Sequence, residues 1–565
     1  MNKSINNNQL RLTNIGETVT LYGWVANKRK FGELNFVDLR DRYGVTQLVF
    51  KEQIHFSKES VLEVTGLVAE RKDKNPNLNT GDIEVIVQEY KVLSTANELP
   101  FSIRDDIEVK EDLRLKYRFL DLRRPIMQKG IILKNQIFQG MREFLQSNDF
   151  LELETPILAK ATPEGARDFL VPTRNYDQFW ALPQSPQLFK QLLMVSGFER
   201  YYQFARCFRD EDSRKDRQPE FTQLDIEVSF LSVEKFQEII EKMFQHFMRK
   251  IGIEIQIPFQ RLNFDDCIRL YGSDKPDLRF DKTIDDIDFF CANSDFNIIK
   301  DKPSKRLLHI DEIISKSEFK KLEEIAKKNK VKSLFYFTYD QQIQSTNFAN
   351  KVPEAVEELL KSKNYQSGTY LIVADKYENA SQALGALRVE LNSWYNWARD
   401  EYNFSWIVNW PMFEYDEEND SWQAAHHPFT QFDNTLEELE TLPREKIRAK
   451  SYDLVLNGFE LGSGSARIYD KQIQERMFNL IGMDAKQQQE KFGFFLKAFD
   501  YGIPPHCGIG LGMDRLVMIL SNNKTIRDVI PFPKNAKNQD VFTEAPSSIA
   551  PEQLQELFIK KDKFE

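Results

Sequence analysis

Apolar and polar positions alternate with a period of two through most of the first 90 or so residues, the spacing of half-buried strands. Val19-Thr-Leu-Tyr-Gly-Trp-Val25, Leu34-Asn-Phe-Val-Asp-Leu39, Val45-Thr-Gln-Leu-Val-Phe50, Ser60-Val-Leu-Glu-Val-Thr-Gly66 and Asp82-Ile-Glu-Val-Ile-Val-Gln88 each read as a strand. Turn residues such as Asp41-Arg-Tyr-Gly44 separate them. Five short strands in that length predict a small Greek-key barrel of the OB type.

Beyond residue 100 the period changes. Residues 101–127 read as a charged linker between Pro100 and Pro125. A helix is expected from Gln128 to Gln146, with an apolar stripe of Ile131, Ile132, Asn135, Phe138, Met141, Arg142 and Leu145. It runs into an extended stretch, Phe150–Leu158, that carries Pro156 and so reads as an edge or a bend. From 277 to 405, helices at 316–330, 353–361 and 378–391 alternate with strands Leu334–Thr338 and Tyr370–Ala374, the texture of a self-contained α/β insert. Trp406-Ile-Val-Asn-Trp-Pro411 resumes strand character, and Trp406, Trp410 and Phe413 read as core.

Composition narrows the classes. With 565 residues the chain is long enough for several domains. Seventy-seven Lys and Arg against 87 Asp and Glu give a net charge of −10, which excludes a chain-wide basic coat but not a local phosphate site. No apolar run is long enough to cross a membrane, and the N-terminus lacks the apolar stretch of a secretory signal, so a cytoplasmic location is expected. Cys207, Cys267, Cys291 and Cys507 form no close pair, which argues against a zinc ribbon or a disulfide framework.

Two segments carry chemistry. The first is Phe208-Arg-Asp-Glu211, then Arg217-Gln-Pro-Glu-Phe-Thr-Gln223, with Asp225 and Glu227 alternating on the return strand. A guanidinium, carboxylates and an aromatic face in that order suit an adenylate-forming site: the cation neutralises an α-phosphate and the ring stacks on adenine. The second is Gly510-Leu-Gly-Met-Asp-Arg515 entering an apolar helix, where glycines permit close approach and Arg515 adds charge near phosphate. Read alone, His426-His427 fits a loop pair as well as a ligand, and Asp453 and Glu460 fit surface carboxylates as well as metal ligands.

Together with Pro156, these segments resemble motifs 2, 3 and 1 of the class II aminoacyl-tRNA synthetases. The likeness is closest to the bacterial-type aspartyl-tRNA synthetase family. It rests also on Ala161-Thr-Pro-Glu-Gly-Ala-Arg-Asp168, Leu182-Pro-Gln-Ser-Pro-Gln-Leu-Phe-Lys-Gln191, His426-His-Pro-Phe-Thr430 and Gly458-Phe-Glu-Leu-Gly-Ser-Gly464. Arg527-Asp-Val-Ile-Pro-Phe-Pro-Lys534 and Thr543-Glu-Ala-Pro-Ser547 extend it over essentially the whole chain.

The resemblance implies a multidomain α+β protein. Its parts are an OB β-barrel that binds the anticodon (1–100), a linker (101–127), a class II antiparallel-sheet catalytic core in two pieces (128–276 and 406–565) and an α/β insertion domain (277–405). It implies ATP-dependent ligation of L-aspartate to the 3′ end of tRNA(Asp) through aspartyl-adenylate, with Mg²⁺, by a homodimer joined through motif 1. Arg209 and Arg515 would be catalytic. Glu164, Gln187, Lys190, Arg209, Asp225, His426 and Arg467 would bind aspartate, Arg467 and Lys190 facing its side-chain carboxylate. ATP would meet Arg209, Asp210, Glu211, Gln218, Phe221, Glu460, Gly512, Met513, Asp514 and Arg515. Asp453 and Glu460 would hold Mg²⁺, and Arg29, Phe36 and Gln47 would read the anticodon.

Three departures stand out: Ser463 interrupts an expected run of three glycines, Met513 stands where leucine is usual, and Val49 replaces an aromatic. Phe50 cannot substitute, because strand neighbours face opposite sides. A sister enzyme for asparagine or lysine, an ammonia ligase with a related core, and a non-catalytic tRNA-binding paralogue are the competing readings.

Overall fold

The computed structural model describes residues 5–162, 166–291, 297–347, 354–416 and 419–560. The chain divides into two units, residues 1–132 with 527–547 and residues 133–526 with 548–565.

In the first unit, strands Thr18–Phe31, Leu34–Arg40, Val45–Phe50, Val61–Glu70 and Ile83–Ser94 close into a barrel. The fifth strand lies between the third and the fourth. Leu21, Val25, Val37, Leu39, Leu48, Phe50, Val64 and Val85 fill the barrel. Phe50 packs edge-on to Phe56 and Tyr90, so it faces inward as the alternation requires. On the outer face Arg29 pairs with Phe36 and Phe36 with Val49 across the strands, while Asp38 stands opposite Gln47. Arg29 donates to Asp38 at 3.0 Å and to Gln47 at 3.2 Å.

The 527–547 segment is tied to the chain before residue 125. Arg118, fully buried, donates to the carbonyls of Arg527, Ile530 and Pro531 at 2.6, 2.7 and 2.8 Å. Asp121 receives Arg114, Arg118 and Arg124. This network compensates several buried charges by pairing each of them.

The second unit is built on an eight-stranded sheet. Its order from edge to edge is Gln260–Asn263, Phe404–Pro411, Arg448–Leu456, Phe459–Ala466, His506–Gly512, Glu220–Ser229, Arg200–Phe208 and Leu151–Glu152. The six central strands are antiparallel, and each edge strand pairs parallel with its neighbour. The strand expected over 150–158 is only Leu151–Glu152, and Leu153 makes its last backbone bond, donating to the Tyr202 carbonyl.

The helix after the linker spans Pro125–Ser147. Its contact line follows the apolar stripe at Met141 and Leu145, both fully buried, and departs from it nearer the start. Ile132 is exposed while Ile137 is buried. Gly140 sets that line: a Cβ there would come within 2.8 Å of Phe247 Cβ on the helix Val233–Lys250, and only a residue without one allows the approach.

Between Tyr271 and Phe404, a five-stranded sheet runs in the order Ile284–Asp286, Ser304–Ile310, Gly368–Asp375, Leu334–Asp340, Gln342–Thr346, antiparallel throughout. Helices Lys316–Lys328 and Tyr377–Tyr395 share one apolar core with it, and Glu354–Ser362 packs in a second. No helix among the described residues is long and apolar enough to cross a membrane.

Candidate active site

The period of two lays the floor of a cavity of about 540 Å³ over the eight-stranded sheet. Along Glu220–Ser229, Phe221, Gln223, Asp225 and Glu227 share one face. The adjacent strand places Gly512, Gly510 and Gly508 opposite Gln223, Asp225 and Glu227. A Cβ on Gly508 would stand 1.9 Å from Glu227 Oε2, and one on Gly510 would stand 3.2 Å from Asp225 Oδ1. The alternate glycines therefore leave the volume that the polar side chains occupy. One strand further, Ser463 and Ser465 stand opposite Gly510 and Gly508, with Asp453 and Ser451 beyond them.

Arg467 follows the last of these residues and lies at one end, 2% exposed. Glu227 holds it through Nε at 2.8 Å and Nη2 at 3.1 Å. Its Nη1 donates to Ser465 Oγ at 2.6 Å and lies 2.6 Å from His427 Nε2. Nδ1 of His427 accepts the Phe429 backbone N–H at 3.2 Å and lies 3.2 Å from Thr430 Oγ1. Lys190 reaches the same spot from the helix Gln187–Val195, one turn after Gln187, and pairs with Asp225 at 2.9 Å and Glu227 at 3.5 Å.

Two cations and two carboxylates thus meet out of water and balance one another. Burial, against the pull of Arg467 and Lys190, is overcome at Glu227, which is held below the usual carboxylate range. Burial prevails at Asp225 despite Lys190 and pushes its carboxyl up. Burial first, then Arg467 and Lys190, keep His426 neutral, pushed down to about 3. By donor count Arg467 and Lys190 each keep an uncommitted N–H. Asp225 Oδ2 and Gln187 Nε2 are buried without a partner. A small zwitterion with a second carboxylate would satisfy all four groups.

The other end suits a nucleotide. The Arg209 guanidinium lies 5.3 Å from the centroid of the Phe221 ring. Arg515 pairs with Asp216 at 3.2 Å and donates to the Glu460 carbonyl. Arg209 Nε and Arg515 Nε are also buried and unpartnered, and both residues line the cavity. Glu211 pairs with Arg217 at 2.9 Å, and Gln218 is 5% exposed. Asp514 accepts from Lys134 and, at 2.9 Å, from the Thr222 backbone N–H, so it ties the strand to two helices. Asp453 and Glu460 lie on two strands joined by a tight turn and both line the cavity. Burial, and after it the charge of Glu460, push Asp453 well above the usual carboxylate range. Hard oxygen donors in that state fit a divalent cation, which would offset both causes.

The cavity lining brings together Gln187, Lys190, Arg209, Glu211, Gln218, Phe221, Asp225, His426, Asp453, Glu460, Arg467, Gly512, Asp514 and Arg515. Asp210 and Met513 are not part of it. Asp210 bonds the Arg167 carbonyl through its backbone, and Met513 is fully buried. Glu164 lies outside the described residues. Trp406 and Phe413 are core, whereas Trp410 is half-buried and lines the cavity, which departs from the expectation.

Sequence reasoning gave no role to Glu227 or His427, or to Asp274 and Glu414, which also line the cavity. The alternation after Asp225 was the signal for Glu227. A polar run, Gly272-Ser-Asp-Lys-Pro-Asp277, directly after a helix was the signal for Asp274.

Comparisons agree with this geometry. The profile of class II tRNA synthetases (D, K and N) matches residues 110–536, and that of the OB-fold nucleic acid binding domain matches 19–93. The chain belongs to the class II tRNA synthetase family. It is 47% identical to the aspartate–tRNA ligase of Malacoplasma penetrans, over 97% of both chains. It is 44% identical to that of Streptococcus agalactiae, over the full length of both. In fold it resembles asparaginyl-tRNA synthetase from Pyrococcus horikoshii, with a TM-score of 0.60, 19% identity and coverage of 94% and 98%.

Proposed function

We propose that the chain ligates L-aspartate to tRNA(Asp) in two steps within this cavity. The observation that carries the reading is the Arg467–Lys190 pair, held by Glu227 with donors to spare. A guanidinium and an ammonium with uncommitted N–H groups at one spot suit a planar side-chain carboxylate, whereas an amine there would add a third cation. Asp225 Oδ2 takes the substrate ammonium, and Gln187 and His426 complete the pocket. Glu164 is proposed to close over the amino acid.

The aspartate α-carboxylate attacks the ATP α-phosphorus in line, forming a P–O bond while the bond to the β-phosphate oxygen breaks and pyrophosphate leaves. Arg209 offsets charge on the α-phosphate and Arg515 on the departing phosphates, so catalysis is mainly positioning and charge neutralisation. Phe221 stacks on adenine. Glu211, Gln218, Gly512, Asp514 and Arg515 hold the nucleotide. Asp453 and Glu460 are the residues that would hold Mg²⁺, which supplies phosphate charge neutralisation when bound. The terminal adenosine hydroxyl of the tRNA then attacks the adenylate carbonyl, and AMP leaves.

The barrel, residues 1–100, presents Arg29, Phe36 and Gln47 to the anticodon. The support is that these three share its outer face. Residues 277–405 are an inserted domain, and motif 1 around Pro156 joins two copies. A cytoplasmic location goes with this activity. Charging assays with tRNA(Asp) test the reading: labelled aspartate should enter the tRNA with one AMP formed per aspartyl group. Charging with asparagine or lysine in its place contradicts it.

A further inference from the structure

Ser463 stands between the two ends of the cavity. Its Oγ donates a short hydrogen bond to Asp453 Oδ1 and lies 3.2 Å from His426 Nδ1. Across the sheet it faces Asp453 on one side and Gly510, which has no side chain, on the other. A hydroxyl has one proton. That proton and the Oγ lone pairs together serve both neighbours, so one side chain bridges the Asp453 carboxyl and the His426 ring. The His426 ring also packs on the ring of His427, with centroids 4.5 Å apart. The three groups come from separate places in the chain: a loop, the strand Arg448–Leu456 and the strand Phe459–Ala466. A glycine at 463, expected from the family pattern, could make neither bond.

We propose that Ser463 is a positioning residue that orients the His426 ring and Asp453 with the same hydroxyl, so that the amino-acid end and the phosphate end of the cavity are registered to one side chain. The proposal rests on the reading of this cavity as the aspartate and ATP site. Ser463 itself lines the cavity. It acts on aspartate through His426 and on the divalent cation through Asp453.

Ser463→Ala and Ser463→Gly in the full chain test it. Calorimetric titration with aspartate, without nucleotide or metal, should show affinity weakened about fivefold, the effect of one buried hydrogen bond. The Mg²⁺ concentration for half-maximal pyrophosphate exchange should rise about threefold, with the KM for ATP at saturating Mg²⁺ and the thermal midpoint unchanged. In a His426→Ala background, Ser463→Ala should cost aspartate affinity nothing further. Unchanged aspartate affinity in Ser463→Ala overturns the proposal, as does an equal loss with and without His426. Absence of aspartate binding by the unaltered chain would instead overturn the reading of the cavity, and the proposal with it.

Discussion

Glu227 grips Arg467 at two points, Nε to Oε1 at 2.8 Å and Nη2 to Oε2 at 3.1 Å, with neither side chain more than 1% exposed. The carboxylate fixes the plane of the guanidinium and leaves an N–H toward the cavity. Removing the charge of one partner leaves the other buried and unpaired, at a cost of about 3 kcal/mol. Glu227→Gln should therefore lower kcat/KM for aspartate about a hundredfold and leave the KM for ATP within about twofold. Arg467→Ala should abolish aspartate activation and spare ATP binding. Exchange kinetics at varied aspartate and ATP check both; a loss shared equally by the two substrates argues for misfolding instead.

Gly508 lies directly under that pair. The methyl group of Gly508→Ala would have to occupy space 1.9 Å from Glu227 Oε2 and 2.3 Å from the Ile226 carbonyl oxygen. Overpacking of this kind costs about 1–3 kcal/mol, here delivered to the residue that orients Arg467. A lower thermal midpoint and at least tenfold weaker aspartate binding are expected. Gly512→Ala meets its nearest neighbour only at 3.3 Å and should leave the midpoint within about 2 °C.

Acid should weaken the fold before the carboxylates titrate. Burial is the leading cause that lowers both His506 and His427 below the ordinary imidazole value of 6.5. Their unfolded forms take up protons below that value while the folded forms do not. Their contribution is thus complete above pH 6.5 and is lost as the pH falls below it. The thermal midpoint of the second unit should decline between pH 7.5 and pH 5; a flat midpoint across that interval contradicts the burial of neutral rings.

The barrel face makes a separable claim. Phe36→Ala with Gln47→Ala should reduce tRNA charging at least tenfold and leave tRNA-independent exchange intact, since neither residue lines the cavity. Parallel loss of both activities would indicate a collapsed barrel.

Much of this was legible in the sequence because it follows short periods. Alternation located Phe221, Gln223 and Asp225 on one face and turned Phe50 away from Val49. The Gly510–Arg515 turn was legible because few residues allow such close approach. Groups brought together only by tertiary packing were not. Asp274 and Glu414 join Asp453 and Glu460 from distant segments, and no spacing announces that meeting. Along the Pro125–Ser147 helix Met141 and Leu145 are buried as their spacing predicts, whereas the burial of Ile137 rather than Ile132 was not legible, since Gly140 lets Phe247 approach there. The strand at 150–158 pairs only at Leu151–Glu152 although its alternation continues beyond, because alternation marks which face a residue takes and not how far a neighbour runs beside it.

The most direct measurement is Mg²⁺-dependent ATP–pyrophosphate exchange, without tRNA, run in parallel with aspartate, asparagine and lysine. The Arg467–Lys190 pocket predicts exchange with aspartate alone. Exchange with asparagine or lysine at comparable rates, or no exchange with any of the three, would contradict it.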